Sequence, residues 1–136
     1  MHRHCEVESL KEDITLSPDD FRIDPSRPLY EQFVEQLRAR IAGGGIAPGT
    51  RLPSVRDLAA GMRINPTTAA RTYQELERLG LIVTYRGQGT FVTKDSEAIL
   101  AAKKIMAREA VRQLQTIADS IGLTVQQLME LAQEEE

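Results

Sequence analysis

Apolar positions set out a series of short elements. Tyr30, Val34, Leu37 and Ile41 follow at intervals of four, three and four, with Leu29 and Phe33 alongside, and Gly43, Gly44 and Gly45 end the run. The spacing predicts an amphipathic helix with Pro28 in its first turn. Beyond the loop from Ile46 to Leu52, Ser54 stands three residues before Asp57 and ahead of Val55, Leu58 and Ala59. This capping-box pattern predicts a second, short helix that Gly61 ends near Met62. Asn65 and Pro66 then supply a favoured cap and first residue for a third helix, and Gly80 supplies its stop. At about 100° per residue, Ala69, Tyr73 and Leu76 form its apolar stripe, while Thr67, Arg71, Gln74 and Arg78 fall on the other side. Leu81 to Tyr85 and Thr90 to Thr93 flank Arg86-Gly87-Gln88-Gly89 and read as a β-hairpin.

The remainder is helical. Ile99, Met106, Ala110, Leu114, Ile117 and Ile121 trace a broad stripe from a Ser96 cap to a Gly122 stop. Thr124 and Gln127 then open a second tail helix carrying Val125, Leu128, Met129 and Leu131. The expected fold class is mostly α with a small β-hairpin, three helices and a wing followed by a two-helix tail. Residues 1–26 have turn signals, acidic patches and no periodicity, and are expected to form a mobile arm. The domain boundaries on this reading are 1–26, 27–93 and 94–136.

Composition narrows the function. No segment of the 136 residues approaches the ~20 apolar positions of a membrane span, and the N-terminus has no apolar signal region. With a single cysteine, no internal disulfide forms within the chain, and a reduced, cytoplasmic setting is expected. The size leaves little room for a catalytic pocket with a lid, and no spaced cysteine pair, nucleotide-binding glycine loop, zinc-protease helix or third histidine is present. His2, His4 and Cys5 are three metal-capable residues at a terminus, too few for a structural zinc site, and no metal or other cofactor is expected.

The formal net charge of −3 hides a strong segregation. Residues 1–26 hold 3 basic and 7 acidic side chains, residues 27–93 hold 9 and 5, and residues 94–136 hold 5 and 8. All nine basic residues of the middle are arginines, whose planar fork suits phosphate and guanine. The middle is the expected partner of an anion, with the acidic ends confining contact to it by repulsion.

This order of elements is the plan of a winged helix-turn-helix. The sequence resembles the GntR family of bacterial transcription regulators in four ordered motifs: PLYEQFVEQLRARI, GTRLPSVRDLA, INPTTAARTYQELERLGLI and RGQGTFV. The resemblance covers residues 27–93, and the short helical tail looks like the YtrA-like branch, which lacks the large effector domains of other branches. It implies a homodimeric repressor that binds double-stranded DNA at a palindromic operator. Branch members often control transporter genes. A small-molecule effector, of unknown identity, would have only a groove between tail helices to occupy.

The residues make physical sense of that mechanism. Residues early in the third helix reach base edges in the major groove, here Asn65, Thr67, Thr68 and Arg71, with Asn65 divided between capping and contact. Ser54 and Arg56 sit where the second helix offers free N–H groups to phosphate. In the wing, Arg86 and Gln88 are expected to enter a minor groove, Gly87 and Gly89 to allow close backbone approach, and Thr90 to meet a phosphate. The sequence departs from many relatives, which carry arginine where Pro66 and Ala70 stand; Arg71 and the threonines, or the wing and DNA shape, then have to supply specificity. The tail residues expected at the dimer interface are Ile99, Met106, Leu114, Ile117, Ile121, Leu128 and Leu131. The competing assignment is a winged-helix protein-interaction module, whose third helix would present apolar or acidic residues. Thr67, Arg71 and Arg78 argue against it. With 3 Tyr, 3 Phe and no Trp, most of them in apolar stripes, a stacking platform for RNA is missing.

Overall fold

The computed structural model describes residues 12–134. His2, His4 and Cys5 lie outside them. After a short 3₁₀ helix at Pro18–Asp20, the elements in order are α1 (Leu29–Ala42), β1 (Arg51–Leu52), α2 (Val55–Met62), α3 (Pro66–Arg78), β2 (Ile82–Tyr85), β3 (Gly89–Val92), α4 (Ser96–Ser120) and α5 (Val125–Gln133). The chain divides into two compact units, Met1–Ala102 and Lys103–Glu136.

In the first unit the sheet has three strands, not two, in the antiparallel order β1-β3-β2. Val83 pairs with Phe91 and Thr84 with Thr90 across the hairpin, while Arg51 and Leu52 pair with Phe91 and Thr90 on the other edge. A two-residue strand leaves no periodic signal, which is why Arg51 and Leu52 read as loop. The helical stripes meet as expected: Phe33, Leu37 and Ile41 from α1, Leu58 and Met62 from α2, and Ala69, Tyr73 and Leu76 from α3 join Leu81, Ile82 and Val92 in one core.

Helix ends agree closely with the sequence signals. Asn65 Oδ1 accepts from Thr67 N at 2.8 Å, and Ser54 Oγ accepts from Asp57 N at 3.0 Å. Gly80, at φ +78°, closes α3 with Leu81 N donating to Leu76 O and Gly80 N to Glu77 O. The end of α2 is different. Gly61 is inside the helix, and Arg63, at φ +58°, takes the left-handed position. Gly61 serves close approach instead: a Cβ there would lie 2.9 Å from Leu16 O.

That contact belongs to a stretch of the N-terminal segment, residues 12–26, that packs on the core. Leu16 and Phe21 are buried members of the core, and Phe21 stands edge-to-face on Phe33 with centroids 5.1 Å apart. Asp13 N donates to Arg51 O at 2.9 Å, and Arg51 N donates to the Asp13 carboxylate at 2.8 Å. Two glutamines of α1 hold the stretch of chain from Arg22 to Arg27. Gln36 accepts from Arg22 N and donates to Arg22 O, and buried Gln32 accepts from Asp24 N while donating to the carbonyls of Asp24 and Arg27. A side-chain amide thus satisfies backbone groups that an extended segment cannot satisfy by itself.

The second unit holds the rest of α4 and α5, joined at Gly122 (φ +74°), where Leu123 N donates to Ala118 O and Gly122 N to Asp119 O. Thr124 and Gln127 form the expected capping box at the start of α5. Ala118 is buried, whereas Ile117, Ile121 and Leu131 are 54%, 58% and 58% exposed. Met106, Leu114 and Leu128 are half-buried, and Ile99, also half-buried, falls in the first unit. No described helix is long and apolar enough to cross a membrane.

Candidate nucleic-acid interface

Three elements of the first unit present the candidate residues. The N-terminal turn of α2 is set against α3 by Tyr73, whose hydroxyl donates to Pro53 O at 2.7 Å, immediately before the Ser54 cap. Burial pushes the Tyr73 hydroxyl well above its ordinary pKa, so it stays a neutral donor. Arg56 is exposed in the first turn of α2, where unpaired N–H groups and the helix dipole favour an anion. The Ser54 hydroxyl oxygen accepts at the cap, which leaves its proton free of that bond.

On α3, Thr67, Arg71, Gln74 and Arg78 are exposed, Thr68 is half-buried, and Ala69, Thr72, Tyr73 and Leu76 are buried behind them. Arg78 is paired with Glu75 one turn earlier, which raises the pKa of the guanidinium and lowers that of the carboxyl. Arg71 lies over the ring of Tyr30 of α1 and bonds to its hydroxyl. Tyr30 reads in the sequence as one position of an apolar stripe, and nothing in the spacing marks it as a partner of α3. The Asn65 side-chain oxygen is committed to the cap. Asn65→Ala is expected to cost about 1 kcal/mol of stability, measured by chemical denaturation.

The wing loop is a tight turn closed by Gln88 N donating to Tyr85 O at 2.9 Å. Gly87 occupies its positive-φ position with open space around its Cα, and Arg86 and Gln88 are exposed on either side. Two wing candidates are placed differently. A Cβ on Gly89 would lie 2.7 Å from Arg51 Nε, so the close approach this glycine permits is to the chain's own arginine. Thr90 is 8% exposed, with its hydroxyl 3.2 Å from that of Thr84. Strand alternation turns Thr90 to the inner face of the sheet. Arg51 itself stands 6.0 Å over the Phe91 ring.

A family model described as bacterial regulatory proteins, gntR family, matches residues 29–92, from the start of α1 to the end of the wing. The HTH-type transcriptional repressor YtrA of Bacillus subtilis is 39% identical over 83% of this chain and 89% of its own. The HTH-type transcriptional regulator YhcF of the same organism is 37% identical over 82% and 92%. Among solved structures, a GntR family transcriptional regulator from Listeria monocytogenes superposes with a TM-score of 0.75 at 31% identity, covering 84% of this chain and 100% of that one. The likeness therefore runs past the winged helix into the tail, among transcriptional regulators and not enzymes, and the chain belongs to the GntR family of DNA-binding regulators, in the company of its short YtrA-like members.

Proposed function

We propose that the protein is a repressor that binds a palindromic operator as a homodimer. In this reading α3 lies in the major groove, the start of α2 is on the phosphate backbone, and the wing is in the adjacent minor groove. The observation that carries it is the two-sidedness of these elements: Arg56, Thr67, Arg71, Arg86 and Gln88 are exposed while the other side of the same elements is buried. Contact is assigned to Ser54, Arg56, Thr67, Thr68, Arg71, Arg86, Gly87 and Gln88, with Asn65 as cap. The repressor YtrA, alike over most of both chains, supports the sign of regulation. Control of transporter genes is what the branch resemblance implies.

The second copy is recruited through the tail, where Ile117 in the last turn of α4 and Ile121 just past its end leave apolar surface in water. A two-fold dimer doubles the contacts and matches a palindrome.

Selection from random duplex DNA, followed by sequencing of the bound pool, tests the reading. A palindrome with half-sites about one helical turn apart or closer is expected. No enrichment at concentrations where the dimer is present would sink it in favour of an interaction module. Arg56→Ala is expected to weaken binding to all duplexes alike and to flatten the log–log salt dependence by about 0.9 per lost phosphate contact. An unchanged slope would remove Arg56 from the interface.

A further inference from the structure

The Arg71 guanidinium carbon stands 3.8 Å from the centroid of the Tyr30 ring, and Arg71 Nη2 is 3.2 Å from Tyr30 Oη, to which it donates. The Tyr30 hydroxyl in turn reaches Glu31 Oε1 at 3.4 Å, so it accepts from one side and donates to the other. Its ring is itself held, being half-buried against the core at the start of α1. We propose that Tyr30 is a specificity-determining positioning residue, which presents Arg71 to a base edge in one fixed orientation. The proposal rests on the reading of α3 as the DNA-facing helix.

The physical argument turns on what each kind of contact requires. A phosphate offers acceptor oxygens in several directions and accepts an arginine from many approaches, whereas guanine offers two acceptors in one plane and requires the fork in that plane. A free arginine loses much rotamer freedom when it docks. Held over the Tyr30 ring, Arg71 has lost that freedom before the DNA arrives, and the hydroxyl takes only one of its five donors. Arg71 and Arg78 are the only arginines on α3, and Arg78 is occupied by Glu75 in the last turn. Pro66 and Ala70 offer no charge. The reading of bases by arginine on this helix thus falls to Arg71, and its orientation falls to Tyr30.

The test uses the full chain, the operator found by selection and a scrambled duplex of equal length. Wild type must first show a steep salt dependence and prefer the operator; if it does neither, the DNA reading itself fails. Given that preference, Tyr30→Leu is expected to lower the operator-to-scrambled affinity ratio about tenfold, with affinity for scrambled DNA and the salt slope unchanged. Tyr30→Phe, which keeps the ring and the packing, is expected to lose only about two- to threefold. In an Arg71→Ala background, Tyr30→Leu is expected to have no further effect, since the residue acts through Arg71. Equal losses on both duplexes, or losses that add fully to Arg71→Ala, would overturn the proposal. Tyr30→Phe keeps the test decisive should the leucine variant fail to fold.

Discussion

Phe21→Ala is expected to destabilise the winged-helix unit by about 3 kcal/mol, lowering its melting temperature by roughly 10 °C or more. Phe21 contributes an aromatic face to the core and stands edge-to-face on Phe33. Its removal leaves a space next to Phe33 and Leu37, side chains fixed by α1. Thermal unfolding followed by circular dichroism measures it. A shift within about ±0.5 kcal/mol, the ordinary range for exposed positions, would mean that residues 12–26 contribute nothing to the core. The consequence extends to experiments on the acidic N-terminus: cutting away residues 1–26 removes Leu16 and Phe21 along with its charges, so it does not isolate the electrostatic effect.

On the proposed tail-mediated dimer, replacing Ile117, Ile121 and Leu131 together by glutamate is expected to leave only monomer and to lower operator affinity by about 10²–10⁴-fold. All three side chains are more than half exposed, so a monomer loses little by the change. In a dimer, each buried glutamate would have to be desolvated without a partner. The loss in affinity comes from the geometry of a palindrome, in which the second half-site is bound at the effective concentration set by the first. Binding to an isolated half-site is expected to be unaffected. Analytical ultracentrifugation with operator titration reads both, and a dimer that survives the triple change would place self-association elsewhere. Deleting everything after Thr93 is a less clean experiment, because Ala102 belongs to the core cluster of the first unit.

Much of the site was legible without coordinates, for a common reason. Where a helix cap, a stop glycine or an apolar stripe is a local arrangement of neighbours in sequence, the residues themselves determine the outcome. The Asn65 cap, the Gly80 close of α3, the capping box at Thr124 and the outward set Thr67, Arg71, Gln74 and Arg78 all obey this rule. So did the identification of the family, because its motifs are runs of adjacent residues.

What tertiary structure alone decided are matches between positions far apart in the chain. Gln32 and Gln36 look like the polar face of α1, yet their amides bond the backbone of residues 22–27 in place of solvent. Gly61 looks like a helix stop, yet it leaves room for Leu16 O while Arg63 ends the helix. Thr90 looks like a wing hydroxyl, yet the pairing of β2 with β3 turns it onto Thr84. Tyr30 looks like core, yet it faces Arg71 across 41 residues of sequence. Local free energies select helices, turns and caps from the residues within a few positions. Which glutamine finds which carbonyl, and which ring lies under which arginine, is decided only when packing brings distant elements within hydrogen-bonding distance.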